Sequence, residues 1–122
     1  MRLGIDLMAV DELDRLGQRP WFTRYAFADV ELAHADGLSG QRRREFLAGR
    51  FAAKEAVLKV LGTGLFEGVA PRDVAVPSCP GGAPQVRLHR AARAAAERAG
   101  VGQVTVSITH KRGLVAAVAM GW

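Results

Sequence analysis

The stretch FLAGRFAAKEAVLKVLGTG, residues 46 to 64, limits the possible folds of this chain more than any other segment. When its residues are placed about 100° apart, as in an α-helix, the large apolar side chains form two separate sectors, one containing Val57 and the other Leu58. A helix with apolar residues on most of its circumference is buried. We therefore predict a long buried helix that begins at Gln41 and is closed by Gly62-Thr63-Gly64.

Four charged side chains interrupt the apolar stretch from residue 46 to 64. Arg50 and Lys54 lie between the two apolar sectors, where an unpaired charge is costly and needs a counter-charge, for which a bound phosphate is one source. Glu55 and Lys59 lie on the remaining strip beside small alanines, which leave space for another group. One interpretation of Glu55 and Lys59 is a surface ion pair worth about 0.3–0.5 kcal/mol, and the other is a chemical site.

Residues 3 to 10 alternate in character, as in a half-buried strand. Leu3, Ile5 and Leu7 share one face, and Asp6 lies on the other. Aspartate is uncommon inside a strand, so Asp6 either satisfies backbone or helix-capping hydrogen bonds or converges with a second carboxylate. If it meets Glu55, the two carboxylates, together with water and phosphate oxygens, would form a Mg²⁺ site.

The rest of the chain predicts a single α+β domain, residues 1–122, with an antiparallel sheet packed against the long helix. Helices are expected first and mostly adjacent strands later. We predict helical structure at 11–16, in part of 21–35 and at 90–99, a loop at 36–40, two strands at 73–76 and 85–89 around a Pro/Gly-rich turn, and a hairpin of strands at 104–109 and 114–120.

The segment Ser107-Ile108-Thr109-His110 ends the first hairpin strand. Ser107 and Thr109 share a face, and His110 follows at the strand end. Adjacent serine and histidine suggest a nucleophile, but no GxSxG elbow accompanies them. A histidine that closes a strand is more often a structural, hydrogen-bonded residue. Gly62 and Gly64 are likewise first a helix cap, where a phosphate would also need nearby cations.

The charge balance favours an anionic partner, since 17 Lys and Arg against 12 Asp and Glu give a net charge of +5. A small nucleic-acid-binding module is therefore a rival interpretation, supported by Arg42-Arg43-Arg44. Aromatic residues make up only 7% of the chain, and no RNP, KH or helix-turn-helix signature is present, which argues against nucleic acid.

The single cysteine, Cys79, excludes an internal disulfide and a multi-thiolate zinc site. We therefore expect a reducing compartment, the cytoplasm, and, if a metal is bound, a hard cation such as Mg²⁺. No apolar run approaches the ~20 residues of a membrane span, so we expect no membrane partner.

Five segments, taken together, resemble one known family. In order and spacing they cover essentially the whole chain and are similar to the holo-acyl-carrier-protein synthase type of 4′-phosphopantetheinyl transferase. The segment GRFAAKEA, followed by Lys59 and LGTG, carries most of the specificity. The five are Gly4-Ile5-Asp6, Arg50 to Ala56 with Lys59, Leu61 to Gly64, Gly82-Ala83-Pro84, and Ser107 to His110.

The resemblance implies a 4′-phosphopantetheinyl transferase-like fold and Mg²⁺-dependent transfer of 4′-phosphopantetheine from coenzyme A to a serine of an apo acyl carrier protein, which leaves adenosine 3′,5′-bisphosphate. It implies that Asp6 and Glu55 bind Mg²⁺ and that Lys59 lies near the bridging oxygen of the pyrophosphate. Glu55, directly or through a metal-bound water, is the expected base for the serine proton. The residues expected to hold the nucleotide are Arg50, Lys54, Gly62, Thr63, Gly64, Ser107, Thr109 and His110, with His110 toward the 3′-phosphate.

The resemblance also implies a homotrimer with active sites between subunits and an acidic acyl carrier protein as partner, from fatty-acid or polyketide synthesis. Arg15, Arg19 and Arg24 are the expected docking face, unless they are merely solvated. Glu12 departs from the family, because many members carry a carrier-binding arginine there, and Thr109 replaces a usual serine. A subunit that keeps the fold without activity is a further alternative, against which the intact Asp6, Glu55 and Lys59 argue.

Overall fold

The computed structural model describes all 122 residues. It confirms the α+β class, with an antiparallel sheet packed against one long helix. A short 3₁₀ turn, Pro71–Asp73, precedes the second strand. In chain order the elements are β1 Arg2–Ala9, α1 Glu12–Leu16, α2 Pro20–Ala26, α3 Asp29–Asp36, α4 Gly40–Val60, β2 Val74–Ala75, β3 Arg87–Leu88, α5 Arg90–Ala99, β4 Val104–Lys111 and β5 Leu114–Gly121.

The main sheet has three antiparallel strands in the order β1-β5-β4, and α4 packs against one of its faces. The predicted alternation along β1 is confirmed. The face toward α4 carries Gly4, Asp6 and Met8, whereas Leu3, Ile5 and Leu7 are 66–68% exposed. Leu3, Ile5 and Leu7 therefore point away from the core, because at Gly4 the helix comes too close to the strand for a side chain to lie between them.

Small residues allow this close approach of α4 to β1. A Cβ atom built on Gly4 would lie 2.0 Å from the carbonyl oxygen of Ala56, a distance that no side chain tolerates. On the helix, Ala48, Ala52 and Ala56 are fully buried. The sequence predicts that the small alanines leave space for another group, and in the structure the main sheet occupies that space. Asp6 is therefore held directly beside the helix.

Helix α4 ends as predicted. Its last residue is Val60, and Gly62 follows in a left-handed conformation with φ of 77°. The Thr63 amide donates to Leu58 O and the Gly62 amide donates to Lys59 O, which is the Schellman arrangement that satisfies the last carbonyls of a helix. The start of the helix differs from the prediction by one residue, since it begins at Gly40.

Two other predictions are corrected in detail. The segment 21–35 forms two helices, α2 and α3, because the chain breaks at Ala28, whose amide donates to the Glu31 carboxylate at 2.8 Å. Strands β2 and β3 are shorter than predicted, because the Val76 amide leaves the ladder and donates to the other Glu31 oxygen at 2.6 Å. No helix in the fold combines the length and apolar character needed to cross a bilayer.

Candidate active site

The line of contact between β1 and α4 brings an aspartate and a lysine together. The ammonium Nζ of Lys59 donates to the carbonyl oxygen of Ile5 at 2.6 Å and lies 3.4 Å from Oδ1 of Asp6. The Lys59 side chain is 51% exposed and that of Asp6 is 19% exposed. Lys59 therefore bridges the strand to the helix while its end remains accessible to a ligand.

Glu55 lies one helical turn before Lys59 and completes this group. Its Oε1 atom is buried without any hydrogen-bond partner. Burial raises the pKa of Glu55, the nearby Asp6 charge raises it further, and Lys59 acts in the opposite direction. Burial also raises the pKa of Asp6, against the effect of Lys59 and together with a smaller contribution from Glu12. Asp6 thus lies close enough to Glu55 for its charge to disfavour the ionisation of the Glu55 carboxyl.

These two carboxylates fit a hard divalent cation. A buried carboxylate oxygen without a partner and a second, repelling carboxylate are both stabilised by a positive ion with oxygen preference. No group of three or more His, Cys, Asp or Glu side chains converges anywhere in the chain. A cation held by Asp6 and Glu55 would therefore take its other ligands from water or from a substrate.

Arg50 and His110 share a second location, a cleft of about 670 Å³ beside the amino-terminal half of α4. The Arg50 guanidinium donates to Val76 O at 2.9 Å and to the Ser78 hydroxyl at 2.7 Å, and it lies 4.6 Å from the centre of the Phe46 ring. Burial lowers the pKa of Arg50 and the Glu31 charge raises it. These contacts fix the direction of the guanidinium at the wall of the cleft.

His110, at the end of β4, contacts α4 across the same cleft. Its Nδ1 lies 2.8 Å from Oε2 of Glu45. His34 and Arg42 line the same space, so most of the charged and imidazole groups there are basic. The structure therefore unites Arg50 and His110, two of the residues expected to bind a nucleotide, and does so in a cleft suited to an anion.

Lys54 does not line this cleft, which is at odds with its predicted role as a nucleotide ligand. The side chain is fully buried and pairs with Glu31 at 2.7 Å, and both side chains are 0% exposed. Its ammonium also donates to Pro71 O at 3.1 Å and Val74 O at 2.7 Å, so all three protons are used. Burial lowers the pKa of Lys54 to about 8, although Glu31 acts to raise it.

The remaining predicted residues lie elsewhere. Gly62, Thr63 and Gly64 follow the carboxyl end of α4, where the Thr63 hydroxyl donates to Glu67 O at 3.3 Å. They lie roughly 25 Å along the helix from the Glu45 turn, at about 1.5 Å per residue. Ser107 and Thr109 are exposed on the sheet face away from α4. Within one chain, no single nucleotide reaches all of these groups together with His110.

Sequence reasoning missed three residues that shape the two locations, namely Glu31, Glu45 and Ser78. The need for a counter-charge at Lys54 was a signal for Glu31, although the expected source was a phosphate. No sequence pattern indicated Glu45 or Ser78, because their contacts with His110 and Arg50 join segments that are 65 and 28 residues apart.

Comparison with known proteins gives one consistent family. A family model described as the 4′-phosphopantetheinyl transferase superfamily matches residues 2–119. The holo-[acyl-carrier-protein] synthase of Nitratidesulfovibrio vulgaris (strain DP4) is 41% identical over 120 residues, which cover 95% of this chain and 93% of that protein. The crystal structure of holo-[acyl-carrier-protein] synthase from Neisseria meningitidis superimposes with a TM-score of 0.85 at 25% identity and covers 99% of this chain and 97% of that one.

A holo-(acyl-carrier-protein) synthase from Bacillus anthracis str. Ames, in complex with CoA (3′,5′-ADP), gives a TM-score of 0.81 at 29% identity and covers 98% of this chain and 94% of that one. The family model spans nearly the whole chain, and both β1 and α4 lie within it. This chain belongs to the 4′-phosphopantetheinyl transferase superfamily.

Proposed function

We propose that this chain transfers the 4′-phosphopantetheine group from coenzyme A to a serine hydroxyl of an apo acyl carrier protein, and that adenosine 3′,5′-bisphosphate is the second product. The observation that carries this proposal is the grouping of Asp6, Glu55 and Lys59 where β1 meets α4. The similarity to named holo-[acyl-carrier-protein] synthases over most of the chain supports the same reaction.

Asp6 and Glu55 are the proposed ligands of Mg²⁺. A cation bound there would neutralise negative charge on the pyrophosphate of coenzyme A. The orphaned Oε1 of Glu55 and the raised pKa of both carboxyls support this assignment, because each is relieved by a positive ion.

Lys59 is the proposed electrostatic catalyst. Attack on the β-phosphorus spreads negative charge over the phosphoryl oxygens, and a fixed cation nearby stabilises that state. The hydrogen bonds to Ile5 O and to Asp6 Oδ1 use two ammonium protons and fix the direction of the side chain, so one proton remains for a substrate. Glu55, directly or through a water bound to the cation, is the proposed base for the serine proton.

Arg50 and His110 are the proposed ligands at the 3′-phosphate end of the nucleotide, in the basic cleft. Gly62, Thr63 and Gly64 are proposed nucleotide contacts as well, but they lie at the opposite end of α4. A homotrimer resolves this separation, because a cyclic assembly can bring one end of α4 against the other end in a neighbouring copy. In such an assembly Ser107 and Thr109, on the sheet face away from α4, also become candidates for contacts across the interface.

The exposed face of the main sheet supports such an assembly. Leu3, Ile5 and Leu7 of β1 lie beside Val118 of β5, which is 43% exposed, and together they form a continuous apolar surface. Apolar surfaces of this kind are typical of protein interfaces. We therefore propose that this face is buried at the centre of a homotrimer.

The proposed partner is an acidic carrier protein, with Arg15, Arg19 and Arg24 as its docking face. All three side chains are exposed, and rim charges of this kind act mainly on the association rate and its salt dependence. The proposed compartment is the cytoplasm, in keeping with the free thiol of Cys79.

The test is to incubate the protein with coenzyme A, Mg²⁺ and a panel of apo carrier proteins, from both fatty-acid and polyketide synthesis, and to weigh each carrier. Addition of one phosphopantetheine group is expected for at least one carrier. Asp6→Asn and Glu55→Gln are expected to abolish transfer while leaving folding nearly unchanged. A variant that keeps wild-type turnover would remove its residue from the metal-site assignment.

A further inference from the structure

Glu45, in the second turn of α4, is the one carboxylate that lines the basic cleft. Its Oε2 lies 2.8 Å from His110 Nδ1. A carboxylate in a cleft that binds an anion repels the ligand, so its presence there calls for a compensating role. The contact with His110 suggests one. We propose that Glu45 is a positioning residue, which orients the His110 ring so that Nε2 faces the phosphate monoester of the bound nucleotide.

The contacts of Glu45 support this role. Arg42 is three residues earlier on the same helix and is a possible ion-pair partner, yet the Glu45 carboxylate pairs with His110 and not with Arg42. The Glu45 side chain is 24% exposed and that of His110 is 59% exposed, so the acid lies deeper and the ring reaches outward from it. The direction of the ring is therefore set from the protein side of the cleft.

The chemistry of imidazole explains why this orientation matters. The two ring nitrogens lie on different edges, so a close contact between Nδ1 and a fixed carboxylate determines where Nε2 points. A ring that donates to both Glu45 and a phosphate oxygen carries a proton on each nitrogen. The other charged or titratable groups that line the cleft are His34, Arg42, Arg50 and the free thiol of Cys79.

This inference rests on the proposed function, because coenzyme A is the ligand that brings a phosphate monoester to His110. The test compares the dissociation constants of coenzyme A and 3′-dephospho-coenzyme A, measured by calorimetry. The two ligands differ only in the group that His110 is proposed to contact. The variants are Glu45→Ala, Glu45→Gln, His110→Ala and the double variant Glu45→Ala/His110→Ala. Glu97→Ala, an exposed acid on α5 outside this cleft, is the control for the change in net charge.

The expected result for Glu45→Ala is about fivefold weaker binding of coenzyme A, with little change for the dephospho ligand and little change in kcat at saturating coenzyme A. Glu45→Gln is expected to lose less, because the amide oxygen still accepts a hydrogen bond from Nδ1. His110→Ala is expected to show the same selectivity for the phosphorylated ligand, and the double variant no further loss, since the two residues act as one unit.

Three results would overturn the proposal. Equal weakening of both ligands by Glu45→Ala would give Glu45 a purely structural role. Tighter binding of coenzyme A would show that its charge merely repels the anion. Losses that add in the double variant would separate Glu45 from His110. Transfer of phosphopantetheine by the wild-type protein is measured independently, so a failure of this proposal can be told apart from a failure of the proposed function.

Discussion

Replacement of Gly4 by alanine tests whether the close approach of β1 to α4 builds the active site. The added Cβ would lie 2.0 Å from the Ala56 carbonyl oxygen, which is short of an ordinary van der Waals contact of 3.4 Å by about 1.4 Å. The obstructing atom belongs to the helix backbone, so no side-chain rotation can relieve the contact. The strand and the helix therefore have to separate, and Asp6 moves away from Glu55.

Two effects of known size follow from that separation. Overpacking of a close-packed interior typically destabilises a protein by about 1–3 kcal/mol, and a backbone obstruction places Gly4→Ala toward the upper end of that range. A displacement of about 1 Å between catalytic groups can lower a rate about 100-fold. We expect a comparable loss of kcat, because Asp6 is two residues from Gly4 on the same face of β1.

Two other glycines provide graded controls. A Cβ on Gly102 would meet its nearest atom, the Trp122 carbonyl oxygen, at 3.7 Å, which is an ordinary contact. A Cβ on Gly49 would lie 3.2 Å from Cγ2 of Ile108, a flexible side chain, and alanine also favours the helix by up to about 1 kcal/mol. Gly102→Ala and Gly49→Ala are therefore expected to change the free energy of unfolding by less than Gly4→Ala.

Urea denaturation and the carrier-modification assay measure the two effects separately. The expected result for Gly4→Ala is a lower urea midpoint of unfolding at an unchanged m value. We also expect a lower kcat, measured without urea at a temperature where the variant is folded. Wild-type stability and wild-type turnover in Gly4→Ala would refute the reasoning, because the added atom would then have been accommodated without moving Asp6.

The remaining predictions concern the charges on α4. Lys54→Met is expected to destabilise the fold by about 3–5 kcal/mol in urea denaturation, because it leaves the Glu31 carboxylate buried without its partner. Because the folded pKa values of Asp6 and Glu55 are raised, these carboxyls bind more protons in the folded chain than in the unfolded chain. Without Mg²⁺, their stability contribution is therefore fully present below the ordinary pKa values of 3.8 and 4.5 and is lost as pH rises above these values through the raised folded pKa values. Glu55→Gln should reduce that fall in a pH series of unfolding curves and should also remove stabilisation by added Mg²⁺. Lys59→Ala is expected to lower kcat more than coenzyme A affinity, and the reverse pattern would make Lys59 a ground-state contact.

Local patterns in the sequence predicted the elements that local chemistry determines. The two apolar sectors of α4 and the glycine at position 62 predicted a buried helix and its end, because both features are set by helix geometry and by a left-handed cap. The alternation along β1 predicted a strand but not which face would be covered. That choice depended on Gly4, whose missing side chain admits the helix, and not on the more apolar side of the strand.

Contacts between distant segments were harder to predict. The counter-charge of Lys54 could have been any acid or a bound anion, and only the packing of α3 against α4 identifies Glu31. The same limit applies to Glu45, since nothing in its own helix indicates that the end of β4 will pass beside it. Charge pairs of this kind depend on tertiary contacts, and the patterns in one sequence do not reveal which distant residues will meet.

The distribution of partners among the four charged residues in the second half of α4, Arg50 to Lys59, separates structural from chemical residues. Lys54 has a protein acceptor for every ammonium proton, and Arg50 is bound on two of its nitrogens, so the fold satisfies much of what they need. Glu55 keeps a buried oxygen without a donor, and Lys59 keeps one ammonium proton free at a half-exposed end. A fold selected for stability alone would pair or remove such groups, since a polar atom buried without a partner costs about 1–3 kcal/mol. Their unfilled bonding capacity is therefore best explained by a ligand that completes it, and in this chain the two incomplete groups are one helical turn apart, beside the aspartate of β1.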